Sequence, residues 1–246
     1  TDVKESIGIN RSKLGDGLGI AVADFNNDLY PDIYISNDFA GRDYLYFNNR
    51  DGTFNESALK SMEHISYSSM GNNAADIDND GWQDLFELDM RNSTHYGRKT
   101  NMTAINPEAF NLLIEYDAHY QYMRNTLQLN NGNETFSDIA PMAGVSNTDW
   151  SWSPLLVDLD NDGYKDLFIS NGMRKNTNNN DFIAYKDNRI EEESKKANPD
   201  VESLIWDILN SLPTEKVVNL VFKNINGLVF ERYNEIWGVT EPSYSN

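Results

Sequence analysis

Short runs of apolar or alternating residues recur along the chain, each pair enclosing a polar phrase. GIAVADF precedes and DIYISND follows the phrase at residues 24–32, NAAD and DLFELDM flank another at 76–84, and PLLVD and DLFISNG flank a third at 158–166. Runs of this length and pattern predict strands. Later in each unit comes a twelve-residue segment that aligns without gaps: DYLYFNNRDGTF at 43–54, NTLQLNNGNETF at 125–136 and NLVFKNINGLVF at 219–230. A β-rich run, an Asn or Gly turn and a second run ending in Phe predict a hairpin in each copy.

The spacing of these pieces is informative. Phe54 to Asp76 and Phe136 to Asp158 are both 22 residues, whereas Asp24 to Leu45, Asp76 to Leu127 and Asp158 to Val221 are 21, 51 and 63. Insertions of about 30 and 42 residues therefore enter at one equivalent point, as loops do on one face of a repeat architecture. One repeat is strand, acidic loop, strand, optional insertion, strand, turn, strand. Four antiparallel strands recurring in this way predict an all-β fold made of β-propeller blades with helical insertions. The expected blades are 18–58, 72–140 and 153–233, with insertions at 91–123 and 173–216; residues 1–17 would end a preceding blade or linker and 234–246 would lead into another. The same spacing counted from Phe230 puts a next acidic phrase near residue 252, so three blades of a larger ring are expected, because rings close with about four to eight.

Both insertions carry helical periodicity. In the first, Asn106 is the expected cap and Pro107 the first helical residue, with Phe110, Leu113, Ile114 and Ala118 on one face. In the second, a helix is expected after Asn198 and Pro199, with Val201, Leu204, Ile205, Ile208 and Leu209 as its apolar stripe. The charged segment KDNRIEEESKK before it reads as a solvated helix face. Packing of these helices over the rim of the blades is the expectation; docking of a partner is the alternative.

Charge narrows the partners. Thirty-nine acidic against 20 basic residues give a net charge of −19, which repels nucleic acid and anionic membranes and attracts cations. There is no cysteine, so disulfides, thiolate metal sites and cysteine nucleophiles are excluded. No apolar run approaches the ~20 residues that cross a bilayer.

The three polar phrases, DFNNDLYPD, DIDNDGWQD and DLDNDGYKD, carry much of that negative charge. Several carboxylates within a few ångströms of one another repel by several kcal/mol at intermediate dielectric, so such a loop calls for a cation. All-oxygen ligands favour Ca²⁺ over Mg²⁺ or Mn²⁺. Alternate positions converge on the ion and position 7 offers its carbonyl, as in the first half of an EF-hand loop. The expected ligands are Asp76, Asp78, Asp80, Trp82 and Asp84 in the second phrase, and Asp158, Asp160, Asp162, Tyr164 and Asp166 in the third. The first would use Asp24, Asn26, Asp28, Tyr30 and Asp32, but Asn26 replaces an Asp, Leu29 replaces the turn Gly and Pro31 stiffens the loop, so its metal is the weakest expectation. A true EF-hand is disfavoured: strands flank each loop, and the Glu expected at position 12 is present as Glu87 but replaced by Ile35 and Ile169 elsewhere.

The DxDxDGxxD phrase between two strands, followed by a hairpin like LxxNNGxGTF, resembles the FG-GAP or VCBS repeat of integrin α-chain propellers and of many secreted bacterial proteins. SMGNNAADIDNDGWQDLF, HYQYMRNTLQLNN and AGVSNTDWSWSPLLVDLDNDGYKDLF are similar to segments of Bacteroidetes VCBS-repeat proteins related to cartilage acidic protein and the ASPIC/UnbV group. The resemblance implies a propeller, often seven-bladed, with a structural Ca²⁺ in each such loop. It also implies export to the cell surface or periplasm, with a protein or glycan as partner or a place in an outer-membrane assembly.

A non-catalytic, calcium-stabilised binding module is the expected function. The alternative is a carbohydrate-active enzyme of polysaccharide-lyase type. Its candidate residues are few: His64, His95 and His119, with Tyr96 beside His95 as an imaginable acid, and Trp150 and Trp152 as sugar-stacking surfaces. An isolated loop His is more often structural, and the two tryptophans precede a strand where packing between blades is the duller explanation.

Overall fold

A computed structural model of the protein describes residues 7–9, 16–38, 41–101, 107–214 and 216–245. The expected cap Asn106 and most of the segment 1–17 lie outside these residues.

Three four-stranded antiparallel sheets form, each a simple meander in sequence order. The first contains Asp16–Ala23, Asp32–Asp38, Tyr44–Asn48 and Phe54–Glu56; the second Asn72–Ala75, Asp84–Glu87, Thr126–Asn130 and Phe136–Asp138; the third Ser151–Val157, Asp166–Asn171, Leu220–Asn224 and Phe230–Arg232. All three hairpins share one register, pairing Asn48 with Phe54, Asn130 with Phe136 and Asn224 with Phe230. The fold is thus mostly β, with helices confined to the connections.

The first strands of successive sheets lie side by side. The Gly71 N–H donates to the Trp152 carbonyl at 3.0 Å, and the Leu156 N–H to Asn73 Oδ1 at 2.9 Å. Gly71 is required by this approach, because a Cβ there would sit 2.4 Å from the Trp152 carbonyl oxygen. Two cores result. Phe25, Tyr34, Leu45, Ile65, Leu85 and Phe136 fill the space between the first and second sheets; Ile77, Phe86, Leu127, Leu167, Ile169 and Phe222 fill that between the second and third. The residue after the first Asp of each acidic phrase plugs the next interface, Phe25 and Ile77 being fully buried, while Leu159 in the third phrase is 44% exposed. Leu18, Ile20 and Val22 on the first strand are also exposed.

A four-residue helix follows each hairpin, Ala58–Ser61, Ala140–Ala143 and Asn234–Trp237. These helices are too short to leave a 3.6-residue pattern, so the sequence concealed them inside the fixed spacing. In the first insertion Thr94 caps His95–Thr100 and a second helix spans Pro107–Glu115; in the second, Asn179 caps Asn180–Ser194 and Asp200 caps Val201–Ser211. The expected packing of the last helix over the rim is corrected by its exposure. Val201, Ile205, Trp206 and Leu209 are about half exposed, and the helix is tied to its neighbour by polar contacts of Tyr185 and Arg189 with Asp207 at 3.1 and 2.9 Å.

Candidate metal centre

Each acidic phrase joins the first two strands of a sheet and folds on its own side chains. The carboxylate at position 1 accepts the N–H groups of positions 5 and 6: Asp24 from Asp28 and Leu29 at 3.0 and 2.7 Å, Asp76 from Asp80 and Gly81 at 3.2 and 3.0 Å, and Asp158 from Asp162 and Gly163 at 3.1 and 2.9 Å. Position 5 accepts the N–H of position 7, so Tyr30, Trp82 and Tyr164 donate to Asp28, Asp80 and Asp162 at 2.8, 2.8 and 3.0 Å. The chain turns through positive φ at positions 4 and 6. Asn27, Asn79 and Asn161 hold the former and Leu29, Gly81 and Gly163 the latter. Leu29, at φ 72°, adopts the same turn as the glycines and stores the strain they avoid.

Position 9 is buried in all three copies. One oxygen of Asp32, Asp84 and Asp166 accepts the N–H of position 2, each at 2.9 Å; the other accepts the N–H of Asn48, Asn130 and Asn224 at 2.8, 2.8 and 2.9 Å. The loop is thereby pinned to its own hairpin.

The carboxylates of positions 1, 3 and 9 converge. Oxygens of Asp76, Asp78 and Asp84 lie within 4.8 Å of one another, as do those of Asp158, Asp160 and Asp166. In the first copy Asn26 replaces the acidic residue at position 3, and its Oδ1 is buried without a hydrogen-bond partner among the described residues. Position 5 stands outside these triads and differs among copies. Arg50 pairs with Asp28 at 2.9 Å, Lys223 contacts both Asp160 and Asp162, and Asp80 has no basic partner among the described residues.

Electrostatics follows this geometry. Burial, only partly offset by the two N–H donors, raises Asp84 to about 7, with the charges of Asp78 and Asp80 adding to the rise; Asp32 is raised to about 6 in the same way. Burial also raises Asp78, assisted by Asp80 and Asp76, and burial raises Asp166. Lys223 holds Asp162 below the usual range. At Asp28 burial opposes the charge, but the Tyr30 N–H and Arg50 outweigh it and lower the pKa.

Asparagine links the units in a way not read from the sequence. Asn27 donates to the Gly81 carbonyl at 3.1 Å and Asn79 to that of Gly163 at 3.2 Å, so each loop is fastened to the next. Asn130 and Asn224 donate to the Phe25 and Ile77 carbonyls at 2.8 and 2.9 Å, fastening each hairpin to the preceding loop. The signal was present, since the fourth place of every phrase and the first turn place of every hairpin is Asn.

Glu87, at the EF-hand-like position 12, does not face the loop. It is buried between the first two sheets, where it accepts from Ser36 at 2.7 Å and Tyr34 at 3.2 Å beside the equally buried Asp43. Strand alternation explains this: the ladder directs the equivalent Ile35 and Ile169 into the sheets as well. Two of the three candidate enzymatic histidines are similarly engaged, while His95 is exposed at the start of the helix His95–Thr100. His119 accepts the Tyr120 N–H on Nδ1 at 2.8 Å and therefore donates from Nε2 to the Met62 carbonyl at 3.0 Å; His64 meets Asp138 at 2.9 Å. Tyr96 is exposed and Trp150 stacks on Trp152 at 6.2 Å.

FG-GAP-like repeats match the chain at residues 24–87 and 114–169, spans that include the second and third acidic loops and the first. No curated protein matches the sequence. Among the described residues no helix is long and apolar enough to cross a membrane.

Proposed function

We propose that the chain is a calcium-braced, propeller-type binding module, non-catalytic, acting at the cell surface or in the periplasm on a protein or glycan. The observation that carries this is the convergence of three carboxylates within 4.8 Å in two loops, under conditions that make their charges costly. Desolvated acids that push one another's pKa upward are stabilised by a divalent cation far more than by isolation. The donor set is all oxygen, which suits Ca²⁺. Asp76, Asp78 and Asp84 would hold one ion and Asp158, Asp160 and Asp166 a second, with Asp80, Asp162 and the carbonyls of Trp82 and Tyr164 as further oxygens. In the first loop Asp24, Asp32 and the unpartnered Asn26 Oδ1 form the corresponding set. The ion would neutralise the loop and leave the chain of asparagine links rigid.

A ring with further blades is supported by the apolar faces left open on the outer sheets, at Leu18, Ile20 and Val22 on one side and Leu159 on the other. The FG-GAP-like repeats support an extracellular setting. A non-catalytic role is supported by the engagement of His119 and His64 in structural hydrogen bonds. Assembly into a larger surface complex is favoured by the exposed apolar residues of Val201–Ser211. The test is calorimetric Ca²⁺ titration of the wild type and of Asp160→Ala. Loss of one ion with the others unchanged is expected, and an unaltered isotherm would remove the third loop from the account.

A further inference from the structure

A second concave site lies at the other end of the sheets. The acidic loops precede Asp84 and Asp166 at the start of the second strands, whereas Met90, Arg91 and Met173 follow the ends of those strands. Six residues of extended chain from Asp84 to Met90 span roughly 20 Å. The pocket there has a cavity of about 100 Å³ beneath an open mouth. Met90, Met123, Met173 and Trp150 supply an adaptable apolar lining, with Arg91 and Arg98 at its edge.

The polar groups here seek acceptors. Arg91 meets only the Met123 carbonyl, at 3.1 Å, and Arg98 only that of Ser93, at 3.4 Å; neither is paired with a carboxylate among the described residues. The lining acid, Asp149, accepts from the Ser93 N–H and hydroxyl at 3.0 and 2.8 Å. Trp150 keeps its Nε1–H buried with no acceptor among the described residues. Two guanidinium groups without acidic partners are conspicuous in a chain of net charge −19. Amides of Asn92, Asn101 and Asn176 complete the wall, and each amide both donates and accepts.

We propose that this pocket binds a carboxylated sugar unit of the uronic acid type. The carboxylate answers the guanidinium groups, which match its geometry. Ring or hydroxyl oxygens accept from the Trp150 indole, the hydroxyls exchange hydrogen bonds with the asparagine amides, and the C–H faces of the ring lie on the thioethers. A peptide carboxyl terminus shares the anion, but an apolar side chain beside it would strand the amides. This deepens the binding-module reading by naming its ligand class, and it stands apart from the calcium, which braces the opposite end.

The test is calorimetric titration of the whole chain in Ca²⁺ with glucuronate, glucose and an acetylated dipeptide bearing a free carboxylate. Glucuronate is expected to bind saturably, with glucose and the dipeptide weaker by about tenfold or more. Arg98→Gln should weaken glucuronate by about tenfold without moving the melting temperature, and Arg91→Gln provides the same test from the other edge should the first variant fail to fold. Absence of saturable glucuronate binding, equal binding of glucose, tighter binding of the dipeptide, or wild-type affinity in both arginine variants would overturn the proposal. Failure of glucuronate to bind a protein whose melting still responds to calcium would refute the pocket alone.

Discussion

Between the first two sheets, Glu87 and Asp43 are fully buried side by side, both reached by the Tyr34 hydroxyl, at 3.2 and 3.1 Å. Burial raises Glu87 from 4.5 to about 7, only partly offset by the hydroxyls of Ser36 and Tyr34; burial and the Glu87 charge raise Asp43. The folded protein therefore retains a proton that the unfolded chain has released above pH 4.5, so stability falls as pH climbs from about 4.5 to 7 and then levels. A shift of that size corresponds to about 3 kcal/mol. Replacing Asp43→Asn and Glu87→Gln together removes the titration while keeping hydrogen-bonding groups in place. Urea unfolding at fixed Ca²⁺, followed from pH 4.5 to 7.5, should show the wild type losing about 1 M or more of midpoint relative to the double variant, for an m-value of 2 to 3 kcal/mol/M. Asp32 and Asp84 also carry raised values but titrate in both proteins, so the difference reports the pair together with Asp89, whose charge adds to the rise at Glu87. Midpoints that run parallel with pH in the two proteins would refute the retained proton.

Two further substitutions probe the loops. Leu29→Gly relieves a leucine that is 91% exposed at φ 72° and should stabilise the protein by about 0.5 to 1 kcal/mol in urea unfolding; a destabilised variant would show that the strain is not there. Lys223→Met removes the ammonium that contacts Asp160 and Asp162, and should tighten Ca²⁺ at the third loop by roughly threefold to tenfold in calorimetry. Weaker binding would instead make Lys223 a support of the site.

The repeating unit was legible because three of its features have fixed periods: strands flanking each acidic phrase, a hairpin of constant register and constant spacing between them. Positions 1, 3, 5 and 9 were read as one group because a tight turn leaves alternate side chains on one side; the structure converges positions 1, 3 and 9 in the second and third copies, while position 5 stands apart. Other features depend on neighbours that the local sequence does not name. Asn79 reads as a turn residue, and only the adjacent sheet shows that its amide reaches Gly163. Glu87 holds the twelfth place of an EF-hand-like count, a comparison the flanking strands disfavour, and strand alternation decides its direction. The exposed stripe of Val201–Ser211 shows the converse limit: periodicity predicts an apolar face without saying what covers it.

If cations complete the acidic loops, thermal unfolding in EDTA and in excess Ca²⁺ must differ. Ca²⁺ at a hundred times its Kd contributes about 2.7 kcal/mol per site, so two occupied loops should raise Tm by roughly 10 to 20 °C, with Mg²⁺ less effective. Superimposable melting curves in EDTA and Ca²⁺ would contradict it.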